Sequence, residues 1–156
     1  MKINWKKLLL HLAIPLGVGG LSALLTMESM ETFSSLNQPP LSPPPWLFGV
    51  AWTILYLLMG FAAYRIDQSA APSQNKKQFW YLYAAQLLFN FCWSLIFFNL
   101  GAYIFAFFWL VVLWVLILWQ NRTARGIDSV AFWCLTPYLL WVTFAGYLNL
   151  GVALLN

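Results

Sequence analysis

Five long apolar runs follow one another along the chain, from Leu8 to Thr26, Trp46 to Tyr64, Phe79 to Asn99, Ala102 to Gln120 and Val130 to Leu150. At 1.5 Å of rise per residue, a helical run of about 19 residues spans roughly 28 Å, close to the hydrocarbon thickness of a bilayer. Polar positions gather in the connections. The pattern predicts an all-α integral membrane protein, a five-transmembrane-helix bundle forming one domain over residues 1–156. The first connection, Met27 to Pro45, is long, and Pro39, Pro40, Pro43, Pro44 and Pro45 predict that its second half is an extended, polyproline-like strap lying over the bundle. The third, centred on Asn99 to Gly101, is so short that the third and fourth spans must be antiparallel neighbours.

Composition sharpens this picture. Apolar residues make up 62% of the chain and charged residues only 8%, against roughly 25% charged in an ordinary globular protein. Twelve ionisable acids and bases cannot cover a water-facing surface, so a soluble fold is ruled out. The ten Trp and 19% aromatic residues exceed what interfacial anchoring calls for.

The net charge of +4 arises from Lys2, Lys6 and Lys7 before the first span, Arg65, Lys76 and Lys77 after the second, and Arg122 and Arg125 after the fourth. All eight fall on one side. The positive-inside rule then places the N-terminus inside and both the strap and the C-terminus outside. No basic patch interleaved with aromatics stands on a polar surface, so no nucleic-acid partner is expected. Met1 to Lys7 followed by an apolar run has the order of a signal peptide, but the run is too long for one, and a retained first helix is expected. A short chain without a transit peptide points to a bacterial plasma membrane. No inverted repeat is visible, and a standard alternating-access transporter is not expected.

On the third span, Gln86, Asn90, Trp93, Ser94 and Phe97 share one face near mid-membrane. Such a stripe must meet protein or a cavity. Hydrogen bonding between helices and contact with a ligand are the two readings, with Asn90 the stronger ligand candidate because it sits deepest. The fifth span carries Tyr138, Trp141, Ala145 and Asn149 at spacings of three, four and four, and the second carries Phe48, Trp52 and Tyr56 at four-residue spacing below the strap. These faces are either core packing or pocket walls. Trp52 and Trp141 favour a pocket, because each carries an indole N–H a turn or more inside the predicted boundary, where an unpaired donor is costly. Trp5, Trp46, Trp80, Trp119 and Trp133 sit at span ends and read as interfacial anchors.

The small pairs Ala13/Gly17 and Gly19/Ala23 predict close helix approach for the first span, and Ala102/Ala106 is a weaker version. Pro15 and Pro137 are candidate kinks. No acidic residue lies within any predicted span, and Ser94 has no base in its own segment. A hydrolase or proton-coupled pump is disfavoured. His11, the one imidazole, reads as a packing or headgroup contact, with axial haem ligation the alternative. Glu28 and Glu31 make at most a weak cation site, and the two Cys lie inside apolar runs, so no metal centre, obligatory cofactor or disulfide framework is expected.

At these same residues the chain resembles the translocator protein family, also called the tryptophan-rich sensory protein or peripheral-type benzodiazepine receptor family (TspO/MBR). The resemblance rests on Pro39-Pro40-Leu41-Ser42-Pro43-Pro44 leading to Phe48 and Trp52-Thr53-Ile54-Leu55-Tyr56-Leu57-Leu58-Met59-Gly60. It continues through Gln86-Leu87-Leu88-Phe89-Asn90-Phe91-Cys92-Trp93-Ser94 with Phe97-Phe98, and through Pro137-Tyr138-Leu139-Leu140-Trp141 to Phe144-Ala145 and Leu148-Asn149. It implies a five-helix bundle that forms homodimers, a cavity under the first loop, and binding of porphyrin or haem, with sterol and isoquinoline or benzodiazepine ligands in some members. Trp52, Asn90, Trp141 and Ala145 match the family's pocket positions. Phe33, Leu36, Pro39, Leu41, Pro43 and Pro44 then form a lid. Thr32-Phe33 and Leu41 stand where many members carry more rings, and Gln38 stands where a basic residue is usual. No Lys or Arg follows Tyr147, so the animal sterol motif is absent.

The expected function is a membrane receptor or carrier for a tetrapyrrole or a related hydrophobic small molecule, lying among membrane lipids and walled by the second, third and fifth spans. Two alternatives accompany it. One is light- and oxygen-dependent porphyrin breakdown with Trp52 and Trp141 as redox partners. The other is a sensor that signals tetrapyrrole or stress status to a protein partner through the inner basic loops.

Overall fold

The computed structural model describes residues 2–156; Met1, at the head of the basic leader-like stretch, lies outside them. Five helices are long and apolar enough to cross a bilayer: α1 (Trp5–Thr26), α3 (Pro45–Gln68), α4 (Ser73–Ser94, continued to Asn99), α5 (Tyr103–Arg125) and α6 (Ser129–Leu155). A sixth, short helix, α2 (Ser29–Ser34), interrupts the first connection. Neighbours around the bundle run α1, α3, α6, α5, α4 and back to α1. As the short third connection requires, α4 and α5 pack side by side. Gly101, at φ 62°, closes the turn between them in a conformation that glycine adopts without cost.

All five long helices outrun their apolar stretches, and two of them do so where the second connection was expected. α3 continues past Tyr64 to Gln68 and α4 begins at Ser73 rather than Phe79. Asp67 is therefore helical, a correction to the reading that no acid lies within a span. Polar contacts at this end explain the extension. Asp128 caps α6 by accepting from the Ala131 backbone N–H at 2.9 Å, and it also receives Arg65 Nη2 at 2.9 Å. Asp67 lies 3.7 Å from Lys7 Nζ and 3.4 Å from His11 Nε2. Asn4 caps α1 on the Lys7 N–H and accepts nothing from Tyr64, whose hydroxyl instead receives the Asn4 backbone N–H at 2.9 Å. These contacts join the ends of α1, α3 and α6 into one basic end.

At the opposite, strap end, α4 finishes in a π turn over Leu95–Asn99, where Leu100 N–H reaches Leu95 O. A π turn inserts an extra residue, yet Phe97 stays buried on the same face as Trp93, four residues before it. The two rings stack at 5.2 Å and 23°. Phe97 and Phe98 both meet Phe33 of α2 edge-on, at 5.6 and 5.2 Å, and Ser29 donates to Asn99 at 2.6 Å.

The strap departs from a continuous polyproline stretch. Leu41 takes φ 71°, a left-handed conformation that costs a non-glycine residue about 1 kcal/mol, and the Ser42 hydroxyl holds the turn by donating to Pro39 O at 2.7 Å. Pro39 is buried against Gly151 of α6, and the Tyr147 hydroxyl donates to Pro40 O at 2.8 Å. Asn37 and Asn156 exchange two hydrogen bonds, at 3.1 and 2.8 Å. The strap is thus tied to the last turns of α6.

Close approach of α1 and α3 rests on two glycines. A Cβ on Gly60 would lie 2.6 Å from His11 O and 2.7 Å from Leu12 Cα, and one on Gly19 would overlap the Tyr56 ring. Ala13, Gly17 and Ala23 face outward, so of the two expected small pairs only Gly19 serves the bundle. Ala106 is buried, and both α1 and α6 run helically through Pro15 and Pro137.

Candidate functional site

Aromatic side chains from α3 and α6 meet at the middle of the bundle. Trp52 stacks on Tyr56 at 5.6 Å and 26° and meets Tyr138 and Trp141 edge-on at 6.2 and 6.4 Å. Phe48 adds an edge contact to Trp141 at 6.1 Å. Offset and edge-on contacts of this kind satisfy the ring quadrupoles. One helical face on each of two neighbouring helices is enough to build the cluster, because four-residue spacing keeps Phe48, Trp52 and Tyr56 in line.

The polar stripe of α4 closes onto this cluster. Gln86 and Asn90 are fully buried. The Tyr138 hydroxyl donates to Gln86 Oε1 at 2.7 Å, Gln86 Nε2 approaches Met59 Sδ at 3.8 Å, and Asn90 Nδ2 donates to the Tyr56 hydroxyl at 3.2 Å. These bonds tie α4 to α3 and α6, the interhelical role that is the alternative to ligand contact. Ser94 only back-bonds to Asn90 O at 3.5 Å.

Trp93 and Asn149 form a separate station nearer the strap. Trp93 Nε1 donates to Asn149 Oδ1 at 3.0 Å, and Asn149 Nδ2 donates to Tyr103 O at 2.9 Å. Ala145 is half-buried, one turn beyond Trp141. Among the lid residues, Phe33 and Leu36 pack on the core, Pro39 is buried and Pro43 is half-buried. Leu41 is 83% exposed and Pro44 is also exposed, so neither caps the aromatic cluster. The left-handed turn at Leu41 swings its side chain off the bundle.

Between α3 and α6 lies an open cleft of about 510 Å³, lined by Ala51, Ile54 and Leu55 on one side and Pro137, Leu140, Trp141 and Phe144 on the other. Of the residues singled out from the sequence as ligand contacts, Trp141 alone lines it. Its indole N–H is buried and has no hydrogen-bond partner, whereas Trp93, Trp109 and Trp114 each donate to a named oxygen. A buried donor left unpaired costs about 1–3 kcal/mol. The lining carries no charge, and it includes one proline, Pro137, and one small residue, Ala51. Ala51, Ile54, Leu140 and Phe144 look like any lipid-facing positions in the sequence. The available signal was the mid-span Pro137, which removes a backbone donor within α6.

The TspO/MBR family model matches residues 11–155. Over 129 residues the chain is 39% identical to the translocator protein homolog of Schizosaccharomyces pombe, covering 81% of this chain and 78% of that protein. It is 34% identical over 156 residues to the tryptophan-rich sensory protein of Cereibacter sphaeroides, covering 100% of this chain and 95% of the relative. The translocator protein of Ovis aries is 32% identical over 123 residues, 78% of this chain and 73% of its own length. Each of these matches takes in most of the five-helix bundle and not a single segment of it, so this multi-pass membrane protein belongs to the TspO/MBR family.

Proposed function

We propose that the protein is a membrane receptor or carrier for a flat, largely apolar ligand of the tetrapyrrole class, held in the cleft between α3 and α6. The partnerless Trp141 indole on an otherwise apolar wall carries this reading. A macrocycle edge offers acceptors to that N–H, and its faces suit Leu140, Phe144 and the Trp52–Trp141 edge pair. The cleft volume of about 510 Å³ falls within the usual range for small-molecule sites, about 300–1,000 Å³. No cation stands on the lining, so the ligand's carboxylates point out of the cleft toward the lipid headgroups. Relatives named translocator protein and tryptophan-rich sensory protein fit a ligand-handling role. The cluster of basic residues at one end supports an orientation with that end, and the N-terminus, on the inner side.

The test is titration of the protein in lipid nanodiscs with protoporphyrin, followed by porphyrin absorbance and tryptophan quenching. Trp141→Phe keeps the ring and removes the donor, and is expected to weaken binding about 3- to 10-fold, the worth of one hydrogen bond. Ala51→Phe, which fills the cleft from a half-buried position, is expected to weaken it more. Wild-type affinity in both variants would remove this cleft from consideration.

A further inference from the structure

A second cleft, of about 750 Å³, opens between α1 and α4, away from the aromatic cluster. Most of its wall is aliphatic, with Ile14 and Val18 of α1 facing Leu88 of α4, but its basic end is polar and holds His11, Asp67 and Tyr83. His11 lies face to face with Trp80, at 5.6 Å and 11°, so its ring is held in place. Trp80 is thus a packing partner of His11, not the exposed interfacial anchor that its place near a span end suggests.

Charge at this corner is unbalanced. Lys7 Nζ and His11 Nε2 both approach Asp67 Oδ2, at 3.7 and 3.4 Å, and Lys76 Nζ donates to the Asp67 backbone carbonyl at 3.1 Å. One ammonium group and an imidazole therefore share the Asp67 carboxylate, while a second ammonium group is held on its backbone carbonyl and has no carboxylate of its own. Two cleft-lining side chains also carry buried polar atoms with no partner, His11 Nδ1 and the Tyr83 hydroxyl. With His11 Nε2–H directed to the carboxylate, Nδ1 is left as an acceptor, while Tyr83 offers a donor. A ligand that answers all of these carries an anion for the lysines, an oxygen for Tyr83, a hydroxyl for His11, and an aliphatic chain for the wall.

We propose that this cleft is a specific site for an anionic phospholipid with a hydroxylated headgroup, its phosphate beside Lys7 and Lys76 and one acyl chain lying between α1 and α4. Basic pockets between transmembrane helices are known binders of anionic headgroups. The proposal is independent of the ligand assigned to the α3–α6 cleft.

The experiment is native mass spectrometry of the full chain released from nanodiscs of equimolar phosphatidylglycerol and phosphatidylcholine with matched acyl chains. Wild type is expected to retain one phosphatidylglycerol per protomer in clear preference to phosphatidylcholine. Ala84→Trp, at an exposed position on the cleft wall, is expected to abolish retention. The double variant Lys7→Ala/Lys76→Ala, which removes one exposed and one half-buried ammonium group at the basic end, is expected to lower it about tenfold or more. Tyr83→Phe is expected to lower it about 3-fold. Free glycerol phosphate is expected not to displace the lipid. Equal retention of the two lipids, unchanged retention in the double lysine variant, or displacement by free glycerol phosphate would each overturn the proposal. So would a lipid-free dimer that Ala84→Trp splits, because the occupant would then be a second copy of the chain.

Discussion

The two ends of the bundle are held together by different chemistry. Among the described residues, every ion pair lies at the basic end, where Arg65 meets Asp128 and Asp67 gathers Lys7 and His11. The strap end relies on neutral groups: Tyr147 on Pro40, Asn156 on Asn37, Ser29 on Asn99, and Trp93 on Asn149. The difference follows from what each end must secure. Helix ends that stand among headgroups keep their charges partly hydrated, so pairing them costs little desolvation. A proline-rich strap has few backbone donors of its own, and its carbonyls must be met by side chains that donate. Tyr147, Ser42 and Asn156 do this, all on strap carbonyls.

Four substitutions at three positions separate the two modes. The largest effect is expected from Asp128→Ala, which removes both the cap on α6 and the partner of Arg65. About 2–3 kcal/mol of stability should be lost in a reversible unfolding titration, combining a cap with a partly buried pair. Asp128→Asn, which keeps a capping oxygen, should recover about 1 kcal/mol of that loss. Because the remaining loss is electrostatic, the gap between Asp128→Asn and wild type should narrow in molar salt.

Next comes Trp93→Phe at the strap end, which leaves Asn149 Oδ1 buried without its donor and is expected to cost about 1–2 kcal/mol. Salt should leave this loss unchanged. A salt-sensitive Trp93→Phe, or a salt-insensitive Asp128→Asn, would erase the distinction between the ends. The smallest effect belongs to Tyr147→Phe, which cuts one exposed tether and is expected to cost about 0.5 kcal/mol. Its readout is local: amide exchange at Leu41 and Ser42 should quicken while the α3 and α4 amides keep their protection. Uniform quickening through the bundle would mean that the strap is part of the cooperative core.

Several features of the site were readable along the chain and several were not. The stripe of Gln86 and Asn90 had to face protein or a cavity, because an amide in hydrocarbon without a partner is costly. Its partners, Tyr138 and Tyr56, depend on how α3, α4 and α6 cross. Trp80 has the sequence position of an interfacial anchor, and only the packing of α1 on α4 brings His11 onto its face. Asp67 looks like a connection residue until the helix is seen to run on to Gln68. The wall of the α3–α6 cleft was invisible for a plain reason. Ile54 and Leu140 are as apolar facing a ligand as facing an acyl chain, and hydropathy carries no information on which of the two they meet.

Hydropathy is a property of consecutive residues, and a bilayer imposes a length on it. For that reason the number of spans, their approximate limits, the shortness of the α4–α5 turn and the gathering of all eight basic residues at one end follow from the order of amino acids alone. Which faces touch is a property of pairs far apart in the chain. The burial of Gly60 on His11, the clamp of the strap on α6, the isolation of the Trp141 indole and the convergence of Lys7, His11 and Lys76 on Asp67 appear only once five helices share one volume.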